Sequence, residues 1–208
     1  MLYMGETLLT RILRDNLWWS DLNYHSELAD FPERTIYQEL LSLLDLRMII
    51  SLVGLRRTGK STLMFQLLTE IQTRVNDSKH IFFFNFDEKL QESNPDSLEQ
   101  ILNYYFQSVL RINPRNLNHR VYIFLDEVQY VKHWQSVLKN FYDASPHIKF
   151  IISGSFSLKL INQDRESLAG RIFEVYITPL SFAEYIKIKY KPSKTNEPIN
   201  IKTITEEE

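Results

Sequence analysis

Residues 54–61 read GLRRTGKS: Gly54, Leu55, Arg56, Arg57, Thr58, Gly59, Lys60 and Ser61. Two glycines five positions apart, followed by a lysine and a hydroxyl, make the pattern GxxxxGK[S/T]. Glycines at these places let successive backbone N–H groups turn inward and form a concave set of donors. A helix opening near Ser61 adds the positive end of its dipole to that cradle. Such a cradle suits the β-phosphate of a nucleotide, with Lys60 reaching the β- and γ-phosphates as a point charge. The Ser61 hydroxyl would complete the coordination of a Mg2+ ion already held by phosphate oxygens. Thr62 is a further donor, toward the α-phosphate.

A second cluster of chemistry follows at Val121 to Gln129, VYIFLDEVQ. A run of apolar residues ending in an acid is the Walker B pattern, in which Asp126 holds Mg2+ through water. The adjacent Glu127 is a carboxylate positioned to polarise a water for attack on the γ-phosphate. Asp87 and Glu88, in IFFFNFDE, are the rival pair, but choosing them leaves VYIFLDE without a role. Ser153, in IISGS, is the candidate for sensing the γ-phosphate and orienting the attacking water, with Ser155 second. Arg165 and Arg171 are candidates to reach a γ-phosphate in their own chain or a neighbour's. Arg56 and Arg57, in the variable part of the loop, could touch substrate or partner.

These residues need a scaffold. Arg47 to Gly54 carries a β-branched apolar run, and Met64, Leu67, Leu68 and Ile71 mark the buried stripe of a helix directly after the loop. Strand, phosphate loop and helix in that order is the context the motif requires. Further strands are expected at Ile81–Phe86, Val121–Leu125, Ile148–Ser153 and Ile172–Ile177. Helices are expected at Leu8–Asn16, from Pro32 through Leu44, at Ser97–Arg111 with Ser97 and Gln100 as a capping box, and around Trp134–Phe141. Strands alternating with helices imply a parallel, doubly wound sheet. The expected α/β fold is a P-loop NTPase: a five-stranded, mostly parallel sheet flanked by helices, with an added strand between the Walker A and Walker B strands. Ligands bind outside the carboxyl ends of strands in such sheets, which puts Asp126 and Glu127 beside the loop. Tyr37 or an aromatic near Trp18 could stack on adenine, though packing on the core is the simpler role.

The 208 residues suffice for one α/β core plus an appendage. The chain divides into a helical extension (1–46), the ATPase core (47–180), and a helix and tail (181–208) expected to open a truncated C-terminal region. A formal charge of −2 argues against a general nucleic-acid-coating surface, although the Lys187 to Lys194 cluster keeps local contact open. With no cysteine, disulfides, thiolate metal sites and cysteine nucleophiles are excluded, which suits the cytoplasm. The start lacks the pattern of a signal peptide, and no apolar run is long enough to span a bilayer.

The segments LVGLRRTGKSTL, VYIFLDEVQ, IISGS and SLAGRIFEVYITPLSFAEY together resemble the prokaryotic AAA-like ATPases, over roughly Arg34 to Tyr185. The resemblance implies ATP at Gly54 to Thr62, Mg2+ at Ser61 and Asp126, catalysis by Glu127, and a separate C-terminal domain after the core. The expected activity is Mg2+-dependent ATP hydrolysis, with ADP as product, coupled to conformational change in an attached domain, a partner protein or a homo-oligomer. The alternatives are a nucleotide-gated switch with little turnover and a nucleic-acid-dependent motor.

Overall fold

The computed structural model describes residues 8–21, 24–86, 98–155 and 168–190. Five strands form one sheet: β1 (Ile49–Gly54), β2 (Ile81–Asn85), β3 (Val121–Asp126), β4 (Ile148–Gly154) and β5 (Ile172–Ile177). Their spatial order is β2-β3-β4-β1-β5, and every neighbouring pair is parallel. The strand lying between β1 and β3 in the sheet is therefore β4. The strand between them in sequence, β2, is displaced to the far edge beyond β3. Gly54 and Asp126 thus end strands with one other between them, at the carboxyl end of the sheet where such folds hold ligands.

The apolar runs read in the sequence work because both faces of the sheet are covered. Side chains alternate along each strand: Ile123 and Leu125 enter one core, Tyr122 and Phe124 the other. The first core receives α1 (Leu8–Asp15), α4 (Leu98–Tyr104) and α5 (Trp134–Ala144). The second receives α2 (Tyr37–Leu43) and α3 (Lys60–Gln72). Each large apolar side chain fully buried this way contributes about 1.5–3 kcal/mol. The edge strand β5 is the exception, with Phe173 and Tyr176 exposed.

Two elements depart from the sequence expectation. Helix α2 starts at Tyr37 rather than at Pro32: the Tyr37 N–H, which a helix from Pro32 would give to the Glu33 carbonyl, bonds to the Arg34 carbonyl (3.0 Å), and the Glu33 carbonyl accepts from Lys187 (3.3 Å). The helix beginning at Leu98 changes to a π turn over Tyr105–Val109. The wider turn lets the adjacent Tyr105 and Phe106 both bury, with Tyr105 Oη donating to the Lys79 carbonyl at 2.7 Å. The capping role expected of Ser97 lies outside the described residues.

The aromatic candidates for adenine stacking belong to the core. Trp18 and Trp19 both donate their indole N–H to the Ile81 carbonyl (3.2 and 2.8 Å), at the amino end of β2 and away from the loop. Tyr37 is buried and donates to the Gln66 carbonyl at 3.3 Å, and burial pushes its pKa up to about 12. A last helix, α6 (Phe182–Lys189), follows β5. Among the described residues no helix is long and apolar enough to cross a membrane.

Candidate functional site

The loop that follows β1 is shaped by two backbone facts. Gly59 sits at φ 87°, in the left-handed region, directly before α3 opens at Lys60. Gly54 admits no side chain, since a Cβ there would lie 2.3 Å from the Ile177 carbonyl at the end of β5. Arg57 also takes a positive φ of 64°. Thr58 Oγ1 donates to the Leu55 carbonyl at 2.9 Å, closing the loop on itself. Leu55, Arg56 and Arg57 are exposed at its rim, where Arg56 donates to the Tyr130 hydroxyl.

Lys60 is buried, and its Nζ donates to the carbonyls of Gly54 (3.3 Å) and Leu55 (2.9 Å). The ammonium is thus parked on the loop's own backbone, beside the space the loop encloses. Ser61 Oγ donates to Asp126 Oδ2 at 2.6 Å, joining the loop to the carboxyl end of β3. Asp126 is buried, and its other oxygen accepts from the Ser153 hydroxyl and from the Glu127 N–H (3.1 Å). Ser61 and Asp126 thus present oxygen donors to one point, and that donor set fits a hard divalent cation. Among the described residues there is no cluster of three or more His, Cys, Asp or Glu able to hold a metal. Mg2+ does not need one, since it takes one or two protein oxygens alongside phosphates and waters.

Glu127 follows β3 in a left-handed conformation, φ 55° and ψ 40°, and opens the short 3₁₀ turn Val128–Tyr130. Its N–H donates to Ser153 Oγ at 3.2 Å, and its carboxylate accepts from Gln129 Nε2. Ser153 lies within the cluster, bonded to both acids. Its hydroxyl is fully buried, donates to Asp126 and accepts from the Glu127 backbone N–H, so it fixes the Asp126 carboxylate against the start of the following turn. Ser155 lies just beyond β4.

Arg171 does not join the site. It precedes β5, its carbonyl accepts from the Ile49 N–H at 2.8 Å, and its guanidinium pairs with Asp143 at 2.9 and 3.1 Å. That is the amino end of the sheet, separated from the loop by the length of β1, roughly 16 Å at 3.3 Å per residue. It cannot reach a phosphate in its own chain's loop. Arg165, and the rival acids Asp87 and Glu88, lie outside the described residues.

Two further groups touch the site. Gln129, two residues after Glu127 in LDEVQ, is signalled by that spacing alone. Arg34 carried no signal, because its partners come from distant parts of the chain. Its Nη1 donates to the carbonyls of Thr58 (2.9 Å) and Thr178 (3.0 Å), and its guanidinium pairs with Glu184.

With loop, acids and hydroxyls at one end of the sheet, the site can hold a polyphosphate and polarise a water beside it. Comparison with known proteins places the chain in a family. The profile of the AAA domain family matches residues 46–186. An uncharacterized protein of Methanocaldococcus jannaschii is 30% identical over 186 residues, which is 89% of this chain and 37% of that protein. An uncharacterized protein of Haemophilus influenzae is 28% identical over 158 residues, 76% of this chain and 38% of its own. The chain therefore spans less than two fifths of the length of these relatives. Among solved structures, the Walker-type ATPase PABY2304 of Pyrococcus abyssi is similar with a TM-score of 0.52 and 20% identity, over 86% of this chain and 63% of that one. A DNA replication initiation factor is similar with a TM-score of 0.55 and 17% identity, over 89% of this chain and 59% of its own. These two show a shared P-loop fold.

Proposed function

The chain belongs to the AAA domain family, and from that premise we propose that it binds ATP with Mg2+ and hydrolyses it. The observation that carries the reading is the contact between Ser61 of the loop and Asp126 of β3, at 2.6 Å. It brings the phosphate cradle and the acidic pair into one site. Mg2+ held by Ser61 and, through water, by Asp126 would neutralise charge on the β- and γ-phosphates.

Lys60 leaves the carbonyls of Gly54 and Leu55 for the phosphate oxygens when nucleotide arrives. The exchange replaces neutral acceptors with charged ones and so favours binding. Glu127 polarises the attacking water. Ser153 keeps Asp126 and the Glu127 backbone in register, and Gln129 steadies the Glu127 carboxylate. Hydrolysis then changes the contacts of the loop and is coupled to a conformational change in an attached domain or partner protein. Replacing Lys60 by alanine removes a charge-assisted contact of about 1.5–3 kcal/mol, a weakening of roughly ten- to a hundredfold in ATP affinity by calorimetry. A Lys60→Ala protein that binds ATP as tightly as wild type would remove the loop from the site.

A second reading is a nucleotide-gated switch with little turnover of its own. The position of Arg171 favours it, because that arginine cannot assist hydrolysis within its own chain. Phosphate release measured across protein concentration separates the two. Specific activity that rises with concentration supports an arginine supplied by a neighbour; steady binding without release at any concentration supports the switch.

A further inference from the structure

Helix α6 is attached to the molecule in an unusual way: none of its residues is buried. Phe182 is 78% exposed and Tyr185 46%. Ile186 and Ile188 are only half-buried and no residue of the helix enters either core, so polar contacts carry most of its docking. The central one is Glu184, whose carboxylate receives the Arg34 guanidinium through two bonds of 3.1 Å and the Thr35 N–H at 3.2 Å. The same carboxylate closes the helix's capping box with Ser181. Lys187 adds a bond to the Glu33 carbonyl at 3.3 Å. The Glu184 and Arg34 side chains are only 11% and 9% exposed, and Arg34 above all holds the carboxyl down at about 2.

Arg34 faces the other way as well. Its Nη1 grips the Thr58 carbonyl at 2.9 Å, inside the phosphate loop. In a planar trans peptide the C=O and the following N–H point in opposite directions. Fixing the Thr58 carbonyl therefore fixes the Gly59 N–H, which points away from Arg34. That N–H is one of the donors a phosphate cradle requires.

We propose that Arg34 is a positioning residue of the phosphate loop, and that its pair with Glu184 makes nucleotide binding and the docking of α6 depend on each other. The inference rests on the nucleotide site proposed above. Occupancy of the loop favours the peptide orientation that Arg34 supports, so nucleotide strengthens α6 docking. By reciprocity, loss of the α6 contact weakens nucleotide by the same factor.

The test combines ADP calorimetry with hydrogen exchange across residues 182–189. Glu184→Gln, which keeps the size and removes the charge, and Arg34→Lys, which keeps the charge and removes the fork, should each weaken ADP about five- to tenfold. In wild type, saturating ADP should slow exchange in 182–189, and in Glu184→Gln that slowing should vanish. A merely structural role for the pair would not make the helix respond to ADP. ADP affinity within about twofold of wild type in both variants overturns the proposal, and so does exchange in wild-type 182–189 that ignores bound ADP. The exchange measurement needs no variant, so a substitution that prevents folding leaves it decisive. A wild-type protein that binds no ADP sinks the nucleotide site and this inference together. Binding with an unresponsive helix sinks the inference alone.

Discussion

Glu127 occupies a backbone region that a Cβ disfavours, at φ 55° and ψ 40°. Holding a non-glycine residue there costs on the order of 1–3 kcal/mol, which the bonds from its N–H to Ser153 and Asp126 offset. In the proposed mechanism this backbone conformation directs the carboxylate toward the attacking water. If so, Glu127→Gly should hold or raise the thermal midpoint while turnover is lost. A midpoint several degrees lower would mean that the conformation carries no strain. The adjacent Asp126 shows what was readable and what was not. Its place after an apolar strand marked it as a metal-side acid, but the Ser153 hydroxyl bonded to it comes from β4, and no spacing in the sequence gives that distance.

At the scale of elements, strands were legible because both faces of the sheet are buried, so apolar runs persist without alternation. Helix starts were less so: residues 32–35 carry a proline and plausible helical spacing, yet the Glu33 carbonyl that would continue the helix accepts instead from Lys187, some 154 positions away. The π turn at Tyr105 was invisible, since it answers a packing demand of the core. The same holds for Lys149, which is buried near the start of β4 and donates to the carbonyls of Leu43, Leu46 and Met48 at 2.6, 2.8 and 2.8 Å. Burial pulls its pKa down to about 8. Lys149→Met strands these carbonyls where α2 meets β1, a destabilisation of about 3 kcal/mol in chemical denaturation with ATP affinity retained. An undisturbed denaturation midpoint would show that the carbonyls find water.

His80 and His119 stack at 3.9 Å between centroids, beside the amino ends of β2 and β3. Burial, and then repulsion from His119, lower the His80 pKa below its ordinary 6.5, with Asp77 opposing. The folded state therefore prefers the neutral ring. Its contribution to stability is complete above about pH 6.5 and is lost as pH falls through the lowered value. Thermal midpoints taken from pH 7.5 to 5 should decline, and His80→Gln should flatten the decline. An identical slope in the variant assigns the acid sensitivity to other groups.

For the whole molecule, the sheet order matters most. Placing β4 between β1 and β3 separates the strands that carry Gly54 and Asp126, and the separation is bridged by Ser61 after the loop and by Ser153 of β4. Nucleotide chemistry at this end of the sheet would be felt at once by the loop, by the turn at Glu127 and, through Arg34, by α6. The sequence marked the first two through motifs. It gave no sign of the third, because an ion pair between residues 34 and 184 depends on tertiary folding alone.

The decisive measurement concerns Glu127 and the water it is proposed to activate on ATP held by the loop: phosphate release and ATP binding side by side, in Mg2+, for wild type and Glu127→Gln. Glu127→Gln should retain ATP affinity while hydrolysis slows by about 10²–10⁴-fold. Turnover equal to wild type in Glu127→Gln would remove the glutamate from the reaction.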